Sequence, residues 1–156
     1  METKEFLQRI LPQRGLYVIA VKTTNGMQQG FFGSIEELTN AIEGSEKRGN
    51  TTYYAIGSYQ EKGSRKQDNV RGIKTIAFDV DCGEGKPYPN AKAGLKALGE
   101  FVQAIDLPMP MVVFSGTGIH AYWLLDSVAA PDVWKPYAVA MKQAAQSHGL
   151  EIDPVV

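Results

Sequence analysis

Two aspartates one residue apart, closing an alternating apolar run, form the spacing in this chain with the clearest chemical potential: Ile76-Ala77-Phe78-Asp79-Val80-Asp81. As a strand, the run sends Ile76, Phe78 and Val80 to one face and Ala77, Asp79 and Asp81 to the other, because side chains alternate with period two. At an effective dielectric near 20, like charges ~4 Å apart repel by about 4 kcal/mol. Two carboxylates on one face therefore call for a cation or water between them. Mg²⁺ is typically held by one or two carboxylates plus substrate phosphates, which makes the pair a candidate metal site. Taken alone, Asp-x-Asp at a strand-to-loop junction is more commonly a solvated turn.

The second informative segment is Ser115-Gly116-Thr117-Gly118-Ile119-His120. Two glycines let a backbone turn sharply and bring its N–H groups close to a ligand such as phosphate, and Ser115 and His120 add donors from either arm. An ordinary hairpin turn with a half-buried strand histidine is the alternative. Tyr122 shares the parity of His120, whereas Trp123 points to the other face; as aromatic strand residues both fit packing roles. Asp153 is a further isolated acid near the end of the chain. Lys86, in the Gly/Pro-rich loop Gly83 to Pro89, and Arg65, among basic neighbours, are candidate phosphate contacts that read equally as solvated side chains. His148 precedes Gly149 at a helix end, where a cation favours the helix dipole. Cys82 is the only cysteine, which excludes an intrachain disulfide and a cysteine-based zinc site.

The elements that must position these residues are legible in the periodicity. Upstream, the pattern predicts a helix over Lys4–Leu11, strands over Gly15–Val21, Gln29–Phe32 and Thr52–Ile56, and a helix opened by Ser34 and Glu37 as a capping box. Ser58–Arg71 reads as a polar loop. Downstream, the aspartate strand is followed by a helix capped by Asn90 with Leu95, Leu98, Phe101, Val102 and Ile105 on one face. Then come a strand over Met111–Phe114, a return strand over Ile119–Leu125, and a helix capped by Asp132 with Trp134, Tyr137, Ala138, Met141 and Ala145 inward. A short strand over Leu150–Val156 carries Asp153, and Pro154 suits its edge position.

This order is β-α-β-β-α-β, the ferredoxin-like or RRM-like pattern, preceded by a small α/β module: an α+β chain divided into residues 1–60 and 61–156. In that topology the first strand lies between the third and fourth. Asp79 and Asp81 would then be flanked by His120 on one side and Asp153 on the other.

Composition sets the class. The chain has 156 residues, 44% hydrophobic and 21% charged, which suits a soluble globular fold and excludes disordered and fibrous ones. Apolar runs break well before the ~20 residues that span a bilayer, and charged residues follow Met1, so a cytoplasmic protein with no membrane partner is expected. The formal net charge of −1 does not advertise nucleic-acid binding, but Lys62, Arg65, Lys66, Arg71 and Lys74 cluster ahead of the aspartates.

Together these segments resemble the archaeo-eukaryotic primase superfamily, specifically the primase-polymerases of phages, plasmids and mobile elements. The resemblance rests on Phe78-Asp79-Val80-Asp81, on Ser115 through Trp123, on Ile152-Asp153, and more weakly on Arg65-x-x-x-Asn69-Val70. It implies Asp79, Asp81 and Asp153 as ligands of catalytic Mg²⁺ or Mn²⁺. It also implies Ser115, Gly116, Thr117, Gly118 and His120, with Arg65 and Lys86, around the phosphates of a nucleoside triphosphate. The expected activity is DNA-templated nucleotidyl transfer onto a primer, with single-stranded template and primer as partners, a helicase or further domains beside them, and a bacterial or archaeal host cytoplasm. Members continue past the third acid into a basic segment, so a chain stopping at Val156 is expected to be a catalytic core fragment. Two other classes explain parts of the pattern: a glycosyltransferase that binds a nucleotide-sugar through Asp-x-Asp, and a non-catalytic ferredoxin-like nucleic-acid-binding module.

Overall fold

A computed structural model describes residues 1–153. The fold is α+β, and its residues form two compact units: Met1–Thr75 with Leu125–Trp134, and Ile76–Leu124 with Lys135–Val156. Two long strands, β5 (Val70–Asp81) and β7 (Gly118–Ala129), contribute residues to both. Among the described residues no helix is long and apolar enough to cross a membrane.

In the first unit, α1 (Thr3–Ile10) buries Leu7 and Ile10. The strands β1 (Tyr17–Thr23), β2 (Gly26–Phe32) and β3 (Thr51–Tyr54) form an antiparallel sheet in the order β2-β1-β3. Helix α2 (Ile35–Lys47) packs on it through Leu38 and Ile42. Ser34 caps the helix as expected, its Oγ accepting from Glu37 N at 3.1 Å, but the reciprocal half of the capping box is displaced by one residue. Glu37 in turn accepts from the amide of Gly33, one residue outside the cap.

The segment expected to be a loop after Ser58 is more ordered than its composition suggests. Gly57–Tyr59 is a fully buried strand, β4, paired antiparallel to the first half of β5, which begins at Val70. Neither feature shows in the pattern, since three residues, Gly57, Ser58 and Tyr59, are too few to show a period, and Arg71 and Lys74 interrupt the apolar signal. What holds β5 here is Thr75, whose buried hydroxyl donates to Ile10 O at 2.7 Å. The intervening turn is tied by Asn69, which donates to Glu61 O and Ser64 O and accepts from Glu61 N.

In the second unit, the last half of β5 alternates as expected. Ile76, Phe78 and Val80 are buried, while Ala77, Asp79 and Asp81 are half-exposed. Helix α3 (Ala91–Ala104) follows, Asn90 capping it by accepting from Ala93 N at 2.9 Å. Leu98, Phe101 and Val102 are its buried residues, and Phe78 meets Phe101 and Trp123 at ring-centroid distances of 6.1 and 5.0 Å. Strand β6 (Met111–Phe114) pairs antiparallel with β7, giving the order β5-β7-β6. Trp123 therefore lies on the face opposite Asp79, its indole N–H donating to Pro108 O. Helix α4 (Pro131–Ser147) buries Ala138 and Ala145, and Gly149, at φ +73°, ends it.

Three expectations need correction. Asp132 does not cap α4: the helix begins one residue earlier, at Pro131, and Ala130 O accepts from the amides of Val133 and Trp134. Tyr137 points outward, 66% exposed, because the narrow contact stripe of α4 is made by alanines. Residues 150–153 form no strand; a single backbone hydrogen bond, from Asp153 N to Asp79 O at 2.8 Å, marks where the fourth strand was expected. Its remainder, with Pro154, lies outside the described residues.

Gly94 sits where α3 presses on the end of β5. A Cβ there would lie 2.6 Å from Cys82 Sγ. Overpacking of this kind costs about 1–3 kcal/mol, set against the ~1 kcal/mol that alanine gains over glycine inside a helix. We expect Gly94→Ala alone to lower the urea midpoint, and the pair Cys82→Ala with Gly94→Ala to recover it. Additive effects of the two substitutions would rule the contact out as the cause.

Candidate functional site

The site is built where β5 ends and β7 begins. A Cβ on Gly118 would stand 2.3 Å from Val80 O, so only glycine lets the two backbones pass this closely. The turn ahead of it is closed by Ser115 N donating to Gly118 O at 3.0 Å, and Thr117 O accepts from Cys82 N at 3.1 Å. Gly116, at φ +85°, occupies the left-handed region that glycine adopts without strain. The hydroxyls of Ser115 and Thr117 lie 3.5 Å apart and exposed.

Two residues along β7, His120 Nε2 comes to 3.4 Å from Asp79 Oδ1, both side chains being about two-fifths exposed. Tyr122, buried, places its hydroxyl 3.3 Å from His120 Nδ1. These contacts are compatible with one tautomer. A carboxylate only accepts, so Nε2 carries the hydrogen it shares with Asp79, and in the neutral ring Nδ1 accepts from the tyrosine. The hydrogen bond to Asp79 raises the His120 pKa above its ordinary value; burial opposes this, and the charges of Asp79 and then Asp81 add to it.

Asp153 is brought to the same place by its backbone, through its bond to the carbonyl of Asp79. The segment carrying it is seated by the burial of Leu150 and by Glu151 N donating to Tyr88 Oη at 3.0 Å. Tyr88 itself is held in the loop after β5, where Gly83 N donates to its carbonyl. Cys82, next to Asp81, is buried, and burial followed by the charges of Asp81 and Asp79 pushes its thiol pKa up, which keeps it protonated and unreactive.

His120 thus pairs with the Asp79 side chain, the Asp153 amide bonds the Asp79 carbonyl, the turn is joined to β5 through Thr117 and Cys82, and Asp81 shares the face of Asp79. Among the described residues, however, no three His, Cys, Asp or Glu side chains form a group that could hold a metal ion. Their hard oxygen donors suit Mg²⁺ or Mn²⁺, but Asp79 stands against an imidazole rather than two further carboxylates. Lys86 is exposed in the loop after β5. Arg65 belongs to the first unit, where Gln29, its amide oxygen turned toward the guanidinium, accepts from Nε and Nη2 at 2.9 and 3.0 Å. Two residues of the site were not assigned a role from sequence. Tyr122 was signalled only by its parity with His120, and nothing local marks Tyr88.

No family model, no curated protein and no solved structure matches the chain.

The His120–Asp79 contact has a definite pH signature. A histidine whose folded pKa is raised contributes stability that is fully present below its unfolded pKa and lost as pH rises through the folded value. The urea midpoint should therefore fall between about pH 6 and 8 relative to that of His120→Asn. Titration of the His120 ring by NMR should give a pKa above the ordinary value in the native chain and a lower one in Asp79→Asn. An unchanged His120 titration in Asp79→Asn would remove the pair as its cause.

Proposed function

We propose that this chain is a metal-dependent nucleotidyltransferase of the primase-polymerase kind, extending a primer along single-stranded DNA from nucleoside triphosphates. The observation that supports it is the meeting of an aspartate–histidine pair, a glycine-bearing turn and a tethered third acid at one strand end. Phosphoryl chemistry asks the protein chiefly to position the reactants and to neutralise charge.

Although their side chains are not grouped around one point in this structure, Asp79, Asp81 and Asp153 are the residues that would hold Mg²⁺ or Mn²⁺, which when bound supplies positive charge to the triphosphate and lowers the pKa of the attacking hydroxyl. The remaining roles fall to the chain's own groups. His120, released from Asp79 when substrate enters, donates from Nε2 to a phosphate oxygen while Tyr122, at Nδ1, fixes the ring's orientation. The Ser115 hydroxyl and the amides of Gly116 and Thr117 offer further donors across the turn. In this reading Asp79 also holds the imidazole in place until substrate arrives.

Primer extension in Mn²⁺ tests the proposal. Loss of groups that merely orient metal ligands costs ~10–100-fold, so Asp79→Asn, Asp81→Asn and Asp153→Asn should each lower incorporation by at least about 100-fold with unchanged circular dichroism. His120→Ala should mainly weaken triphosphate binding, and Ser115→Ala should do so less. Folded aspartate variants with near-native incorporation would defeat the assignment.

A further inference from the structure

Beyond the aspartate site, the first unit carries a cleft of about 470 Å³ lined by Arg14, Ser58, Arg71, Lys74, Asp126 and Ser127, with Pro12, Leu125 and Val128 supplying an apolar wall. That volume lies within the ~300–1,000 Å³ of small-molecule pockets. Its charge is unlike that of the chain as a whole: three cations against one carboxylate, in a protein of net charge −1. The cations come from separate places, Arg14 from the turn before β1 and Arg71 and Lys74 from β5. Among the described residues neither Arg14 nor Arg71 makes an ion pair. Lys74 spends one donor on Gln8 O at 3.1 Å, and burial lowers its pKa.

A second, independent observation is Ser58. It is fully buried, and among the described residues its hydroxyl has no hydrogen-bond partner. Buried polar atoms in native proteins are nearly always satisfied, and of the unpartnered buried hydroxyls, those of Ser45, Thr52 and Ser58, only Ser58 belongs to a residue lining this cleft. Gly15, at φ +114°, packs so tightly on Ser58 that a Cβ would lie 2.9 Å from Oγ, so the hydroxyl is held in place.

We propose that this cleft is a binding site for a small phosphomonoester. Guanidinium groups present paired N–H donors matched to phosphate oxygens. Two arginines and a lysine opposed by Asp126 leave the positive excess that a dianion neutralises. The Ser58 hydroxyl supplies a fixed neutral donor, and the apolar wall takes the organic part of the ligand. Asp126 limits the site to one phosphoryl group, since a longer polyphosphate would bring added negative charge against the carboxylate.

Calorimetric titration of the full chain in EDTA, with no divalent metal, separates this site from the aspartate site. The probes are ribose 5-phosphate, adenosine monophosphate and inorganic phosphate, with ribose and adenosine as unphosphorylated controls. Arg14→Gln and Arg71→Gln should each weaken phosphomonoester binding tenfold or more, Ser58→Ala should weaken it less, and Asp126→Asn should tighten it. Asp79→Asn should leave it unchanged. Amide NMR shifts on titration should fall on Gly15, Ser58, Arg71 and Ser127. Binding of the nucleotide at least tenfold tighter than ribose 5-phosphate would assign the organic part as a nucleoside, and equal affinity would assign a phosphosugar. Either outcome supports the site. Absence of binding, equal binding of adenosine and adenosine monophosphate, or affinity unchanged in both arginine variants would overturn it.

Discussion

At Gly118 the second strand of the site passes so near the Val80 carbonyl that a Cβ would stand 2.3 Å from it, so this approach of β7 to β5 is open only to glycine. Strand register is all or nothing for side chains, because a slip of one residue turns every one of them to the other face. With the register held, Ile76, Phe78 and Val80 go under α3 and Trp123 goes with them, leaving Asp79, Asp81, His120 and Tyr122 on the opposite face. The buried side supplies the energy and the other side carries the chemistry. The apolar pattern and the polar site are thus two readings of one constraint.

Asp79 is the residue on which the local arrangement turns, because its two ends do different work. Its carboxylate engages His120. Its carbonyl, pointing to the side of β5 away from β7, accepts the Asp153 amide. A substitution at its side chain therefore tests chemistry with little disturbance of the backbone link that seats Asp153. The same negative charges raise both His120 and Cys82, with opposite consequences: the imidazole is kept as a donor and the thiol is kept inert.

How much of this was legible in the chain depends on distance along it. The alternation of residues 76–81, the caps at Ser34 and Asn90 and the Gly-x-Gly turn are local patterns, and each folds as its residues dictate. The pairing of Asp79 with His120 is non-local, yet it follows once the helix between β5 and β6 and the hairpin after it are recognised. What stayed hidden was set by partners remote in sequence. The strand at Gly57–Tyr59 exists because β5 lies beside it, and Tyr88 matters because its hydroxyl receives the Glu151 amide. Arg65 was marked by its charge alone, and nothing local signals its contact with Gln29, thirty-six positions earlier in numbering. The outward turn of Tyr137 came from a helix whose buried stripe is made of alanines, too narrow to take in an aromatic residue at the edge of the predicted face.

A net charge of −1 suggests a protein without electrostatic specialisation, and here the total misleads. The second unit gathers Asp79, Asp81 and Asp153 near one strand end, whereas the first unit gathers Arg14, Arg71 and Lys74 around one cleft. Field strength at a site depends on charges within roughly a Debye length, about 8 Å at physiological salt, so the local set of charges says more about a site than the sum does. β5 carries the sequence of both within twelve residues, from Val70 to Asp81: cations at its start, carboxylates at its end, and between them the buried run that gives each its fixed direction. One strand can serve two opposite electrostatic tasks because alternation separates its buried residues from its polar ones at every step, and length separates its cations from its acids.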